Sequence, residues 1–300
     1  MMADGEGRSV SWLVSQVSIE PGVLYVVATP LGNLDDISRR ALAVLEGVEL
    51  IAAEDTRHTR GLLAHFGIAT ALSSLHEHNE AARVPGLIAR LHRGDAIALV
   101  SDAGTPLISD PGFRLVRTAR EQGVRVSPVP GPSAVVAALS AAGLATDRFI
   151  FEGFLPAKAG ARDERLRALA DDTRTLVFFE SSHRIVRSLG AMAEAFGASR
   201  RGVIARELTK LHEEIRGDEL GALATWLEAH PGHQRGEFVV VVEGGEAAGG
   251  SPEGADLRRI LEPLLGELPL SQAVRLASRI SAQPRNKVYA MALELGGGSR

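Results

Sequence analysis

The residues able to do chemistry in this chain fall into a few short strings. Glu54-Asp55-Thr56-Arg57 sets two carboxylates, a hydroxyl and a guanidinium in succession. Asp55 alone would suffice to cap a helix; four such groups exceed that need and point to a functional loop. His76-Glu77-His78-Asn79 could contribute a His-x-His metal pair, yet no third ligand stands at a recognisable spacing, so a polar loop that touches substrate is expected instead. Ser101-Asp-Ala-Gly-Thr-Pro-Leu-Ile-Ser-Asp-Pro-Gly112 holds two aspartates, two glycines and two prolines in twelve residues. Compact domains keep long loops of fixed shape mainly for function. Pro128-Val-Pro-Gly-Pro-Ser133 leads into an alanine-rich stretch, where Ser133 either caps a helix or meets the polar edge of a ligand. In the second half stand Phe178-Phe-Glu-Ser-Ser-His-Arg184, Ala205-Arg-Glu-Leu-Thr-Lys210 and Arg235-Gly-Glu237. For the middle string a salt-bridged surface turn is a competing reading, because Arg, Glu and Lys alternate in it.

Most of these strings follow short apolar runs. Val23–Ala28, Glu49–Ala53, Ala96–Ser101 and Val124–Val129 read as buried parallel strands. Helical periodicity over Ile37–Leu45 and Val84–Leu91 separates them. Such alternation predicts a parallel sheet with helices on both sides. Ligands of open α/β sheets bind beyond the carboxyl ends of the strands, which is where the polar strings sit. The loop Thr29–Ser38 lacks GxGxxG, which weakens a dinucleotide-binding reading. A second series follows, with strands at Phe149–Phe154, Thr175–Phe179, Gly202–Arg206 and Phe238–Glu243 and helices near 162–171, 183–196 and 219–229. Beyond the Gly-rich Gly244–Gly254, helices are expected at Asp256–Leu265, Ser271–Ile280 (with Ser271 as N-cap) and Arg285–Leu295. The middle helix should turn Val274, Leu276, Ala277 and Ile280 inward. The expected organisation is therefore a flexible leader (1–21), two α/β domains (22–145 and 146–245) and a small helical tail (252–296).

Composition narrows the functional class. With 45% hydrophobic and 23% charged residues, the chain is a folded globular protein. A net charge of −4 leaves no basic field over the whole molecule, so a nucleic-acid contact must come from local patches. The absence of cysteine excludes disulfides, thiolate catalysis and Cys-ligated zinc. No apolar run approaches the roughly 20 residues of a membrane span, and the first residues do not read as a signal peptide, so a cytoplasmic location is expected.

Taken in order, seven strings resemble the tetrapyrrole methylase superfamily: Leu24–Ile37, Ala53–Thr59, His76–Asn79, Ser101–Gly112, Pro130–Ala134, Phe179–Arg184 and Arg206–Lys210. Within it they are similar to the bacterial branch that methylates a cytidine 2′-hydroxyl in 16S ribosomal RNA. The resemblance covers about residues 22–245, and the tail fits that branch's helix-turn-helix-like appendage. It implies two α/β domains with S-adenosylmethionine in the cleft between them, usually in a homodimer, acting on a decoding-centre cytidine of the assembled 30S subunit. By position, the superfamily's cofactor contacts map to Leu31, Ser101, Asp102, Ser133, Ala134, Glu180, Leu208 and Phe238. Ala28-Thr-Pro-Leu-Gly-Asn33 replaces the glycine-rich first turn of tetrapyrrole-modifying members, which argues for the RNA branch.

Methyl transfer of this kind requires no metal. A ribose hydroxyl ionises far above neutral pH, so a base or strong acceptor should assist. Glu54, Asp55, His76, His78, Glu180, His183 and Glu207 are the candidates, with Asn79 in the same loop as two of them. Arg57, Arg184, Arg206 and Lys210 could hold phosphates. Two rivals stand beside this reading: methylation of a tetrapyrrole or other small molecule, and a non-catalytic ribosome assembly factor. In the tail, Arg275, Arg279, Arg285 and Lys287 are expected to add RNA affinity.

Overall fold

The computed structural model describes residues 18–245 and 252–296. The expected leader therefore lies outside the described residues up to position 17, as does the 246–251 portion of the Gly-rich boundary. Just after the leader, Ile19 packs against the first core and the Glu20 N–H donates to the Tyr25 hydroxyl at 2.9 Å.

The first sheet comprises β1 (Leu24–Val27), β2 (Leu50–Ala53), β3 (Leu72–Ser74), β4 (Ile97–Val100) and β5 (Val126–Val129), in the order β3-β2-β4-β1-β5 with parallel pairing. Its central strands are apolar at every position because both faces are covered. Tyr25, Val27, Ile51, Ala53, Ala98 and Val100 share a core with α1 (Arg39–Gly47) and α2 (Thr56–His65). Leu24, Leu50, Ala52, Ile97 and Leu99 share another with α3 (Glu80–His92) and α4 (Phe113–Glu121). The chain thus leaves β2 on one face and the neighbouring β4 on the other. Divergent connections from adjacent strands open a crevice at their carboxyl ends, the usual ligand position in open α/β sheets. The alanine-rich α5 (Ala134–Ala142) follows β5.

The second sheet has the order β6-β7-β10-β8-β9. Its strands are β6 (Phe149–Phe154), β7 (Thr175–Ser181), β8 (Arg201–Arg206), β9 (Glu214–Glu219) and β10 (Glu237–Val242), and its helices are α6 (Ala159–Leu169), α7 (Ile185–Phe196) and α8 (Leu220–Ala229). The tail is α9 (Pro252–Glu267), α10 (Leu270–Ser281) and α11 (Arg285–Gly296), closed around Leu257, Leu261, Val274, Ala277, Val288 and Ala292.

Among the strands and α-helices, β3, α4 and β9 go beyond the expectation. Two details of the tail differ from it. Ser271 lies inside α10, whose N-cap is Pro269. Ile280 is 63% exposed, because the buried face of α10 runs through Ala273, Val274 and Ala277.

Two compact units divide the chain. The first takes the described residues up to Ala142 with Ala205–Ile215 and Gly236–Val239; the second takes Gly143–Ile204, Arg216–Arg235 and the described residues from Val240. Among the described residues, no helix is long and apolar enough to cross a membrane.

Candidate active site at the carboxyl ends of the first sheet

The Ser101–Gly112 loop leaves β4 and is fixed at several points. Thr29 and Gly104 form an isolated antiparallel bridge, each N–H donating to the other's carbonyl (2.9 and 3.0 Å). Gly104 has φ +81°, and a Cβ there would stand 3.1 Å from Leu31 Cδ2, so this crossing needs glycine. The Thr105 hydroxyl donates to the Pro132 carbonyl at 2.9 Å. At the far end the buried Glu80 carboxylate accepts the Leu115 N–H in the first turn of α4 (3.1 Å). Between these ties, Leu107 and Ser109 adopt φ of 74° and 68°. Such strain persists only where surrounding structure holds it.

The crevice between β2 and β4 gathers carboxylates. Asp102 Oδ1 accepts the Asp55 N–H at 3.0 Å, joining the two strand ends. Burial lifts the Glu54 pKa above the usual carboxylate range; the charges of Asp102 and Asp55 add to this, while the Asp102 N–H and His76 oppose it. Asp110, at the end of the same loop, is pushed up to about 6, chiefly by burial, against a hydrogen bond from Ser101 and with the charges of Glu54 and Asp102 adding. Asp55 differs. It caps α2 by accepting the Arg57 N–H (2.8 Å), and the Arg57 side chain holds its carboxyl well below the ordinary value. The Arg57 side chain is itself 86% exposed.

The His76–Asn79 loop closes the β3 side. Asn79 does not cap α3 with its side chain. Its Oδ1 accepts the His76 N–H (2.9 Å), while Nδ2 donates to the Ser74 carbonyl and lies 3.1 Å from His76 Nε2. Nε2 must then accept, which leaves the proton on Nδ1. That atom is buried and has no hydrogen-bond partner among the described residues. His78 is exposed, with its ring 6.1 Å from that of His76. Across the sheet, the Ser133 carbonyl accepts the Ala137 N–H at the start of α5 (2.9 Å).

Leu208 and Phe238 are buried, 8% and 3% exposed, in the part of the first unit made by Ala205–Ile215 and Gly236–Val239. There Lys210 Nζ lies 2.9 Å from Glu207 Oε1 and 3.0 Å from Glu237 Oε2. Burial raises the Glu207 pKa, but the Lys210 ammonium and the Glu237 N–H outweigh it and hold the carboxyl low. Arg206 faces Glu214 at 3.6 Å. In the second unit, Glu180 is buried and accepts the Ser188 hydroxyl (2.5 Å) and the Ser181 N–H (2.8 Å), with Arg184 Nε at 3.3 Å. Arg184 also donates to the Leu155 carbonyl, and His183 is exposed. Glu54, Asp55, His76, Ser101 and Asp102 thus meet at one end of the first sheet. Asp110 and Glu80 belong to the same arrangement, although the sequence does not single them out. The aspartate within Ser-Asp-Pro-Gly is the one available signal for Asp110.

Comparison with known proteins decides the family. The family described as Tetrapyrrole (Corrin/Porphyrin) Methylases matches residues 23–224. The chain belongs to the tetrapyrrole methylase family. A second family, described as the RsmI C-terminal HTH domain, matches residues 251–296 and so takes in the helical tail. Ribosomal RNA small subunit methyltransferase I of Pseudomonas aeruginosa is 54% identical over 93% of this chain and 99% of its own length. The protein of the same name from Escherichia coli O157:H7 is 52% identical over 92% and 96%. Among solved structures, uroporphyrin-III-C-methyltransferase from Thermus thermophilus aligns with 76% of this chain and 96% of its own at a TM-score of 0.53 and 24% identity, a likeness of fold. This methyltransferase of the tetrapyrrole methylase family therefore carries both the methylase domain and the helical appendage of its ribosomal RNA relatives.

Proposed function

We propose that the chain methylates the 2′-hydroxyl of a decoding-centre cytidine in 16S ribosomal RNA of the 30S subunit, with S-adenosylmethionine as donor. The observation that carries this reading is the similarity at about half identity to small subunit methyltransferases over nearly their whole length, tail included. A cytoplasmic homodimer is part of the same proposal.

The crevice suits such a donor chemically. The buried His76 Nδ1–H lacks a hydrogen-bond partner among the described residues, and carboxylates stand beside it for a ligand that carries hydroxyls, an amine and a positive sulfur. Asp102 and Ser101 at the end of β4, Ser133 and Ala134 at α5, and Leu31, Leu208 and Phe238 would hold it. Bound S-adenosylmethionine supplies a methyl on a sulfonium, which leaves by in-line displacement.

Glu54 is the proton acceptor in this scheme. Its carboxylate is partly desolvated and its pKa raised, which makes it a better base than an exposed carboxylate. Asp55 is excluded from that role by its Arg57 partner and its capping bond. Arg57 and His78 are both exposed and would meet the RNA side. Transfer of labelled methyl from S-adenosylmethionine to purified 30S subunits tests the function. Incorporation into 16S RNA is expected, and methylation of a uroporphyrin instead of RNA would overturn it.

A further inference from the structure

Lys210 has the composition of a phosphate ligand and the surroundings of a strut. Its Nζ lies between two carboxylates, those of Glu207 and Glu237. Its methylene stem covers Gly32 so closely that a Cβ on Gly32 would fall 2.1 Å from Lys210 Cγ and 3.0 Å from both Cδ and Cε. A lysine tip usually swings away from such a clash. Here the end of the stem is tethered, so moving it breaks ion pairs.

The tether is itself firmly built. Glu207 has φ +49° and Thr209 φ +65°, both uncommon for residues with side chains. Glu207 Oε1 also accepts the Glu237 N–H at 3.0 Å, and the Glu207 N–H donates to the Glu237 carbonyl at 3.0 Å. Gly236, at φ +98°, leaves room for that carboxylate, because a Cβ there would lie 2.4 Å from Glu207 Oε1. The Thr209 N–H donates to Glu213 Oε2 at 2.6 Å. Such a turn holds its shape against perturbation and presents one lysine stem to Gly32.

We propose that Lys210 is a positioning residue that clamps the loop Thr29–Asn33 through Gly32 and so sets the place of Leu31. The loop is pinned at its root by the Thr29–Gly104 bridge, and Leu31 packs beside Gly104. Lys210 supplies the third fixed point, at Gly32. Its ammonium serves the clamp and does not bind RNA phosphate. The consequence for ligand affinity rests on the reading above that Leu31 touches S-adenosylmethionine.

Two lysine variants separate stem from charge. Lys210→Met loses the tether but keeps methylenes able to cover Gly32, and its S-adenosylmethionine Kd is expected to rise by no more than about threefold; Lys210→Ala removes the stem as well and is expected to raise Kd by about tenfold or more. Affinity for 30S subunits and its salt dependence should be unchanged in both. Equal loss of 30S affinity in both variants, with a salt slope reduced by nearly one unit, would mean that Nζ holds a phosphate and would overturn the proposal. A second measurement uses the ligand-free protein. Gly32→Ala should lower Tm markedly in the parent and far less in the Lys210→Ala background, because the atom it strikes is gone. Additive Tm shifts would overturn the clamp by themselves. A parent protein that binds no S-adenosylmethionine would refute the cofactor reading, and the melting cycle would still decide the clamp.

Discussion

The carboxyl end of the first sheet and the helical tail carry opposite charge and opposite degrees of internal pairing. In the crevice the charges of Glu54 and Asp102 add to the raised pKa of Asp110, and the loops that bear these carboxylates are tied at Thr29, Pro132 and Glu80. In the tail, residues 268–293 contain four cations and no carboxylate. On α9, Arg258 pairs with Glu262 and Arg259 with Asp171, each at 3.1 Å. On α10 and α11, Arg275, Arg279 and Arg285 are exposed and make no ion pair among the described residues, beside the exposed Ile280, Tyr289 and Leu293. A rigid acidic crevice suits a cationic small ligand and proton transfer. An unpaired cationic face suits a polyanion whose attraction needs no exact geometry. A net charge of −4 is thus compatible with the proposed RNA substrate, because the unpaired cations are concentrated in the tail.

This division can be broken at either end. The largest effect is expected from Glu54→Gln, which should lower the methylation rate by about 100-fold, the lower bound for a lost general base, with 30S affinity retained. Single-turnover methyl transfer checks it; an undiminished rate places the proton acceptor elsewhere. Asp102→Ala should weaken S-adenosylmethionine by about tenfold or more, on the order of 1.4 kcal/mol, since it removes both the proposed ligand acceptor and the Asp55 N–H tie. Calorimetry measures this directly. Replacing Arg275, Arg279 and Arg285 together by Ala should leave that calorimetric affinity alone while flattening the salt dependence of 30S binding, by up to about 0.7–0.9 units for each phosphate no longer neutralised. An unchanged slope would assign the tail another task.

The smallest effect concerns stability and pH. Asp110 has its folded pKa raised to about 6 from 3.8, so the folded state holds this proton more tightly than the unfolded chain. The resulting stability is full below the unfolded value and is lost as pH rises through about 6. Asp110→Asn should remove that slope. Above pH 6 the variant should be more stable than the parent by roughly 1 kcal/mol, after allowance for partial solvent screening, with no gain near pH 4. Melting temperatures across that interval check the sign.

What is legible in the sequence follows from burial. β1, β2 and β4 are covered on both faces, so each announces itself as an unbroken apolar run, and the polar strings after them mark the site end of the sheet. β3 escapes because it is three residues long and only partly buried. β9, Glu-Ile-Arg-Gly-Asp-Glu at the sheet edge, alternates charge with little apolar content and so reads as a surface turn. Helical spacing alone turns Ile280 inward, but spacing does not say which of two faces a neighbouring helix covers. Asp110 and Glu80 are hidden for a related reason. One owes its raised pKa to burial beside Glu54, 56 positions away in the chain, and the other its importance to the N–H of Leu115, 35 positions away. The resemblance to known methylases supplies the cofactor and the substrate, which no residue pattern here states alone.

The proposed chemistry is methyl transfer at the first sheet's carboxyl end, directed by the tail to a ribose in the small subunit. Its most direct test is to incubate the protein with 30S subunits lacking the modification and S-adenosylmethionine, digest the 16S RNA to nucleosides and identify the methylated product by mass. The expected product is 2′-O-methylcytidine from a single position in the decoding centre, lost with Glu54→Gln. Methyl groups on a base, or none in RNA, would contradict it.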